Sequence, residues 1–310
     1  MKLFPPKSRT TTSETAPGQA EKSAATLAEI AERLDKLQCV ITDLKQNIDL
    51  IPSIVRKLYL EGMDLEPPYD LMAQRFGYLS QNEEDGLLLA IFNRVGVKSR
   101  RFVEIGCGMN GGNSGFLAQE LGWRGLMVDA LAASIEKVTV RYTGHAVTAV
   151  QERVTREGIN ALIDTHGFAG DVDLLSIDID GNDYWVWQAI SACHPRVVAI
   201  EYNWLLGGTR AVTVPYDPEF DLSTIPVRGF RGASLAALVH LGKEKGYRLV
   251  ATERVNAFFL RDDIAPDIKA VSCAQGYRAP LNINRCHDIF QKFEGAGLTL
   301  VTVAEPAAGV

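Results

Sequence analysis

The sequence predicts an α/β protein whose core is a doubly wound, mostly parallel sheet. From residue 100 onward, short apolar runs alternate with helical stretches, the pattern of strands that are buried on both faces and joined by crossover helices. A loop of small residues follows the first of these strands, and only three residues separate the last two. A heptad pattern precedes the domain, so we also expect an N-terminal helical segment.

Composition sets limits on the function. The 310 residues are 46% hydrophobic and 23% charged, which suffices for one large domain with a buried core. The net charge of −6 argues against the cationic face that binding to nucleic acid or an anionic membrane requires. No apolar run is long enough for a bilayer span or a signal peptide, and the five cysteines form no CxxC pair. We expect a cytoplasmic protein with a small-molecule partner.

Three segments precede the predicted domain. Residues 1–22 are rich in Ser, Thr, Pro and charged residues, which predicts a disordered tail. Residues 23–60 are predicted to form a coiled coil that makes a homo-oligomer through residues 27–58, the alternative being an amphipathic helix folded back on its own domain. Residues 61–98 are predicted to be a helical lid or connector. Apolar residues recur along the heptad seam at steps of three and four: Leu27, Ile30, Leu34, Leu37, Ile41, Leu44, Ile48, Ile51, Val55 and Leu58.

The main domain is predicted over residues 99–265, with a C-terminal extension over residues 266–310. The three-residue connection between the last two strands is too short for a parallel crossover, so these strands must form an antiparallel hairpin at the sheet edge. Five parallel strands closed by such a hairpin are the Rossmann-like arrangement of class I methyltransferases. The candidate strands are Arg101–Ile105, Gly125–Asp129, Ala146–Glu152, Val172–Asp178, Arg196–Glu201, Tyr247–Thr252 and Asn256–Arg261, and the candidate helices are Ser114–Leu121, Ser134–Arg141, Tyr184–Ala192 and Ala233–Lys245.

The loop after the first strand is suited to a nucleotide-like ligand. Gly106 and Gly108 let the backbone approach a ligand, and from Asn113 onward the next helix presents its free N–H groups. Asp129 ends the second strand, where a carboxylate accepts hydrogen bonds from the ribose hydroxyls of S-adenosylmethionine (SAM) or of NAD. The loop also satisfies the G-x-G-x-x-G dinucleotide fingerprint. The acid Glu104 within the strand end and the terminal hairpin favour SAM.

Acidic side chains follow the fourth and fifth strands. Ligands of open α/β sheets bind at the carboxyl ends of the strands, so we expect Asp178, Asp180, Glu201 and Asn203 to lie together. Hard oxygen ligands of this kind suit Mg²⁺, which makes these four residues candidate metal ligands. Without a metal, a carboxylate such as Asp178 or Asp180 serves as general base. The spacing of these two aspartates is also that of the DxD motif of glycosyltransferases, a minor alternative.

Several of these segments resemble the FkbM-type branch of SAM-dependent methyltransferases. The most specific run is residues 172–185, continued by residues 195–203. Shorter resemblances are at residues 80–86, 122–129 and 232–238, and together they span roughly residues 75–262. The resemblance implies a SAM-dependent O-methyltransferase that acts on a sugar or natural-product hydroxyl.

The resemblance also implies roles for particular residues. Glu104, Gly106 and Gly108 should line the methionine and ribose portion of SAM, Asp129 should take the ribose, and Asp178 should lie beside the sulfonium.

Two further parts of the chain are placed at the cleft. Thr155 follows the third strand, where an adenine ring would be bordered. Residues 203–231 form a long insertion, with Trp204, Tyr216, Asp217, Pro218 and Arg228, that we expect to close over the acceptor. The rival interpretations are an NAD(P)-dependent oxidoreductase and a non-catalytic coiled-coil assembly protein with a relict cofactor domain.

Overall fold

The computed structural model describes residues 30, 31, 33, 34, 36–38, 41, 69–277 and 288–304. The chain divides into two units, Met1–Asp49 and Leu50–Val310. The described residues of the first unit are helical and exposed, among them Ile30, Leu34, Leu37 and Ile41 of the heptad seam. The predicted tail and the rest of the seam lie outside the described residues.

The main sheet has the predicted topology. Among the described residues, seven strands join in the order β3-β2-β1-β4-β5-β8-β7. The first five pair in parallel, and β8 is antiparallel to both of its neighbours. This confirms the doubly wound, Rossmann-like sheet of class I methyltransferases with its terminal hairpin. The strands are β1 Arg101–Ile105, β2 Arg124–Asp129, β3 Val147–Gln151, β4 Gly170–Ile177, β5 Cys193–Glu201, β6 Ala211–Thr213, β7 Tyr247–Glu253, β8 Asn256–Arg261 and β9 Val301–Ala304.

Helices cover both faces of this sheet, because successive side chains of each strand point to opposite sides. Phe102 of β1 packs in a core with Leu88 and Leu117, while its neighbour Val103 packs in a second core with Trp187. None of the helices among the described residues combines the length and apolar character that crossing a bilayer requires. The helices are α1 Tyr69–Ala73, α2 Glu84–Val95, α3 Gly115–Gln119, α4 Ala132–Arg141, α5 Ile159–Thr165, α6 Asp183–Ala189, α7 Leu235–Glu244, α8 Cys273–Gly276 and α9 Ile289–Gly295.

The long insertion and the C-terminal segment fold together. Strand β6 of the insertion pairs with β9, and Phe230 of the insertion packs edge-to-face on Phe293 of α9. With Leu206, Val212 and Ile289 these rings form a third, smaller core. We call residues 203–231 and 288–304 the cap. Residues 288–304, which the sequence placed in a separate C-terminal extension, thus pack with the insertion as one cap.

A buried carboxylate fixes the chain where it enters the sheet. Asp173 of β4 accepts hydrogen bonds from the backbone N–H groups of Lys98, Ser99 and Arg100 at 2.6–3.0 Å. It also pairs with Arg196 of β5 at 3.2 Å and is fully buried. The loop before β1 therefore depends on one side chain of β4.

We predict that Asp173→Ala destabilises the protein by about 3–5 kcal/mol, because three backbone donors and a guanidinium lose their acceptor. Urea unfolding at neutral pH measures the change. The control is Asp171→Ala on the same strand, which removes an exposed ion pair with Lys98 and should cost less than about 1 kcal/mol. Equal losses in the two variants would contradict the assigned role of Asp173.

Candidate active site

A cleft lies at the carboxyl ends of the parallel strands and consists of two adjoining lobes of about 220 Å³ each. Both lobes are lined by Gly106, Asp129, Asp178 and Asp180. The first lobe is completed by Val128, Ala130, Leu131, Glu152, Arg153, Val154, Ile179, Asn182, Pro218 and Phe220. The second is completed by Gln81, Asn82, Glu84, Glu104, Cys107, Gly108, Asn110, Gly112, Asn113 and Asn256.

The glycine loop is shaped by close backbone contact between β1 and β4. Gly106 has a φ of +85°, and a Cβ atom at this position would lie 1.7 Å from the carbonyl oxygen of Asp178. Its N–H donates to the carbonyl of Val128 at 2.8 Å. Only glycine fits both the backbone conformation and the space. The loop therefore lies directly against the end of β4.

Asp129 is held by the backbone on both sides. One carboxylate oxygen accepts from the N–H of Gly108 at 2.9 Å, and the other accepts from the N–H of Leu131 at 2.8 Å. Each carboxylate oxygen has a second lone pair, so the group keeps acceptor capacity toward the cleft. Asp129, the residue predicted to bind the ribose, is thus oriented in part by the glycine loop that follows the neighbouring strand β1.

Glu104 is fully buried behind the loop. Its carboxylate accepts from the N–H of Asn113 at 3.2 Å, from the hydroxyl of Ser176 at 2.9 Å and from the hydroxyl of Ser114. The side-chain amide of Asn113 in turn donates to Ser176 at 3.1 Å. Burial raises the pKa of Glu104 to about 7, although these hydrogen bonds act in the opposite direction. Glu104 and Asn113 therefore hold the glycine loop in place through hydrogen bonds on the side that faces the protein interior.

Asp178 lies where the two lobes meet. Burial raises its pKa to about 7, and the neighbouring carboxylate of Asp183 adds to the effect. Asp183 is itself buried and accepts from the N–H groups of Ile179 and Gly181, both at 2.9 Å. The turn after β4 is thus held by hydrogen bonds to the carboxylate of Asp183. Within this turn, Asp180 has a left-handed backbone conformation with a φ of +57°.

Arg231 supplies one positive charge to the acidic cluster, and sequence reasoning missed it. Its guanidinium pairs with Glu201 at 2.9 Å and contacts Asp180. Arg231 lies at the end of the insertion, some thirty residues after β5, so no local sequence pattern predicts that it contacts the cluster. The cluster that the sequence predicted therefore contains its own counter-charge.

The residues present do not fit the predicted Mg²⁺ site. Ligand oxygens of Asp178, Asp180 and Glu201 lie within 4.8 Å of one another, but Arg231 already binds two of these carboxylates. Asn203 has structural partners of its own: its oxygen accepts from the N–H of Leu205 at 3.0 Å, and its amide donates to the carbonyls of Gly229 and Arg231. Asn203 thus holds the segment that delivers Arg231, instead of facing a metal.

Thr155 does not line either lobe. Its hydroxyl accepts from the N–H of Gly158 at 3.1 Å, and the preceding residue Val154 lines the first lobe. In this part of the chain, the lining of the first lobe therefore comes from residues 152–154, which follow β3 and precede Thr155.

The hairpin tip reaches the second lobe, which the sequence analysis did not foresee. Asn256 donates from its amide to Glu84 at 2.9 Å, and Glu84 also accepts from Asn82. Asn256 is 2% exposed, and its Oδ1 has no hydrogen-bond partner among the described residues. An acceptor that is buried and unsatisfied beside a cavity is suited to a ligand donor.

No protein-family model and no curated protein sequence matches the chain. Among solved structures, the N-terminal domain of EvdMO1 with S-adenosylhomocysteine (SAH) bound is 14% identical, with 59% of this chain and 80% of that chain covered and a TM-score of 0.38.

Two methyltransferase structures are also similar. An O-methyltransferase from Bacillus cereus in complex with SAH is 12% identical over 66% and 96% of the two chains, with a TM-score of 0.34. A SAM-dependent methyltransferase from Clostridium acetobutylicum is 10% identical over 68% and 97%, with a TM-score of 0.35. At these identities and TM-scores the likenesses carry no functional argument, so the chemistry of the cleft is argued from its own residues.

We predict that Glu104→Gln changes how stability depends on pH. Unfolded glutamate ionises near pH 4.5, whereas folded Glu104 keeps its proton to about pH 7. The folded wild type therefore binds more protons between these values and loses about 3 kcal/mol as the pH rises through them. The variant lacks this loss, so its stability relative to wild type should increase by that amount. Parallel pH profiles in urea unfolding would refute the prediction.

We predict that Mg²⁺ does not stabilise the wild type but does stabilise Arg231→Gln, because the substitution frees Asp180 and Glu201, which lie beside Asp178. At Mg²⁺ about ten times the dissociation constant, the gain should be about 1.4 kcal/mol. Thermal unfolding with and without MgCl₂ measures it, and Lys269→Gln, an exposed cation outside the cluster, is the control. A magnesium-dependent rise in the wild-type melting temperature would overturn the assignment of Arg231.

Proposed function

We propose that the protein is a SAM-dependent O-methyltransferase of the FkbM type that acts on a small molecule. The observation that carries the proposal is the charge of the second lobe. Its acidic lining consists of Glu84, Glu104, Asp129, Asp178 and Asp180, with a pKa of about 7 for Glu104 and Asp178, and no Lys, Arg or His is among the described residues that line it. Such a lobe attracts a cationic ligand and repels an anionic one.

This charge separates the two cofactors that the glycine loop allows. SAM bears a sulfonium and an ammonium against one carboxylate and is a net cation, whereas NAD bears a pyrophosphate that needs N–H donors or cations to balance its two negative charges. The acidic carboxylates at the strand ends would face that pyrophosphate directly. The proposal of SAM therefore follows from electrostatics, independently of the loop motif.

The remaining parts of the cleft suit the other groups of SAM. Asp129 has free acceptor capacity for the ribose hydroxyls. Leu131, Val154 and Phe220 give the first lobe apolar surface for an adenine ring. Asn256 Oδ1 and Glu84 supply acceptors for the ammonium of the methionine portion. Thr155, which we had placed at the adenine, supports this region only through the turn that it caps.

The chain contributes mainly orientation and proton handling. When bound, SAM supplies an electrophilic methyl group on its sulfonium. Asp178, which lines both lobes, is the proposed acceptor for the proton of the attacking hydroxyl. Arg231 holds Asp180 and Glu201 in place, so the proposed mechanism contains no metal step. Holding the two reactants in line is expected to contribute most of the rate.

We further propose a homo-oligomer formed through residues 27–58. The seam residues Ile30, Leu34, Leu37 and Ile41 follow one another at steps of four, three and four, and each is exposed by 47–60%. Apolar side chains with this spacing pack well against a second copy of the same helix.

We predict that the wild type binds SAH, measured by calorimetry, and does not bind NAD. Asp129→Ala should weaken SAH binding roughly 100-fold, or about 3 kcal/mol, because hydrogen bonds from the ribose to a charged acceptor are lost. Asp129→Asn keeps one amide oxygen as an acceptor and should lose less.

The matched control is Asp164→Ala on the exposed surface of α5, which should bind SAH like the wild type. Binding of NAD in place of SAH would favour the oxidoreductase, and binding of neither would favour the non-catalytic assembly protein. Unchanged SAH affinity in Asp129→Ala would remove the ribose assignment.

A further inference from the structure

A groove of about 930 Å³ lies in the cap, apart from the two lobes of the cleft. Its wall comes from the insertion between Asn203 and Arg231 and from α9. Asn203 and Arg231 also belong to the surroundings of the acidic cluster, so the groove opens beside that cluster. Its size is within the range of about 300–1,000 Å³ that is usual for small-molecule sites.

The charge of the groove is opposite to that of the cleft. Arg228, Arg231 and Lys292 line it, and no Asp or Glu is among the described residues that do so. Arg228 and Lys292 are exposed and have no ion-pair partner in the described part of the chain. In a protein of net charge −6, the exposed cations Arg228 and Lys292 give the groove a local excess of positive charge, whereas the charge of Arg231 is already balanced by Asp180 and Glu201.

The rest of the lining is uncharged and, apart from Asn203, mainly apolar, and it includes an aromatic ring. Trp204 and Leu205 contribute from one side, and Ile289 of α9 contributes from the other. Apolar walls with a few charged groups are typical of sites that bind a small organic anion. A bare inorganic anion would leave these apolar walls without contact.

We propose that the groove binds the methyl acceptor and that this acceptor carries a phosphate or carboxylate group on an apolar or aromatic body. The proposal rests on the proposed function for its link to methyl transfer. Arg228 and Lys292 would receive the anionic group, and Trp204 with Leu205 and Ile289 would receive the body. Arg231 stands between the groove and the carboxylates of Asp180 and Glu201, so the far end of the acceptor would face the acidic cluster.

The test uses three probes that share a phenyl ring, namely phenyl phosphate, phenylacetate and benzyl alcohol. Their binding to the full-length protein with SAH present is followed by NMR titration at low ionic strength. Both anions are expected to bind roughly tenfold more tightly than the alcohol, and the ratio between the two anions distinguishes phosphate from carboxylate. Equal binding of the alcohol, or no binding of either anion, would overturn the proposal.

The double variant Arg228→Glu/Lys292→Glu locates the effect. Both side chains are exposed, so the fold should be kept, and anion affinity should fall roughly tenfold while SAH affinity is retained. Lys269→Glu reverses a charge outside the groove and should change neither affinity. An equal loss in this control would refute the groove as the site.

If anions bind as expected but the wild type fails to bind SAH, the proposed function is lost, while the anion selectivity of the groove stands.

Discussion

The cleft depends on the contact between the backbone at Gly106 and the carbonyl of Asp178. Strands β1 and β4 end so close together that a single Cβ atom would be 1.7 Å from that oxygen. This approach turns the glycine loop over the sheet edge, where Gly108 donates to Asp129, and it brings Asp178 to the junction of both lobes. A larger residue at position 106 would separate the strand ends and remove the geometry of three predicted site residues at once.

Charge is the second constraint on the site. Glu104, Asp183 and Glu201 are buried, and burial raises the pKa of each of these carboxyl groups. The protein itself offsets part of this cost of burial. Backbone N–H groups donate hydrogen bonds to Asp183, and Arg231 forms an ion pair with Glu201. Cationic groups of a bound ligand would offset more of this cost. A cation bound beside these carboxyl groups would favour their ionised forms, and its binding would also stabilise the fold, since binding and folding are linked.

Sequence reasoning recovered what depends on local pattern. The strands follow from apolar runs, the hairpin from the three-residue connection, and the meeting of Asp178, Asp180 and Glu201 from the rule that parallel strands end at one edge. It missed contacts between residues distant in sequence. Arg231, Asn256 and the pairing of β6 with β9 are each set by tertiary packing, and no short-range periodicity encodes them. The magnesium prediction is not supported for the same reason: the counter-charge comes from outside the motif.

The cap contributes residues to two neighbouring sites of opposite charge, the acidic cleft and the cationic groove. Its Pro218 and Phe220 close the first lobe of an acidic cleft, while a few residues later Arg228 lines a cationic groove. Arg231 belongs to both, since it borders the groove and pairs with the carboxylates of the cluster. A cationic cofactor and an anionic acceptor would therefore be sorted by charge before any specific contact forms. Such sorting keeps the acceptor out of the cofactor lobes and leaves Asp178 available where the two ligands meet.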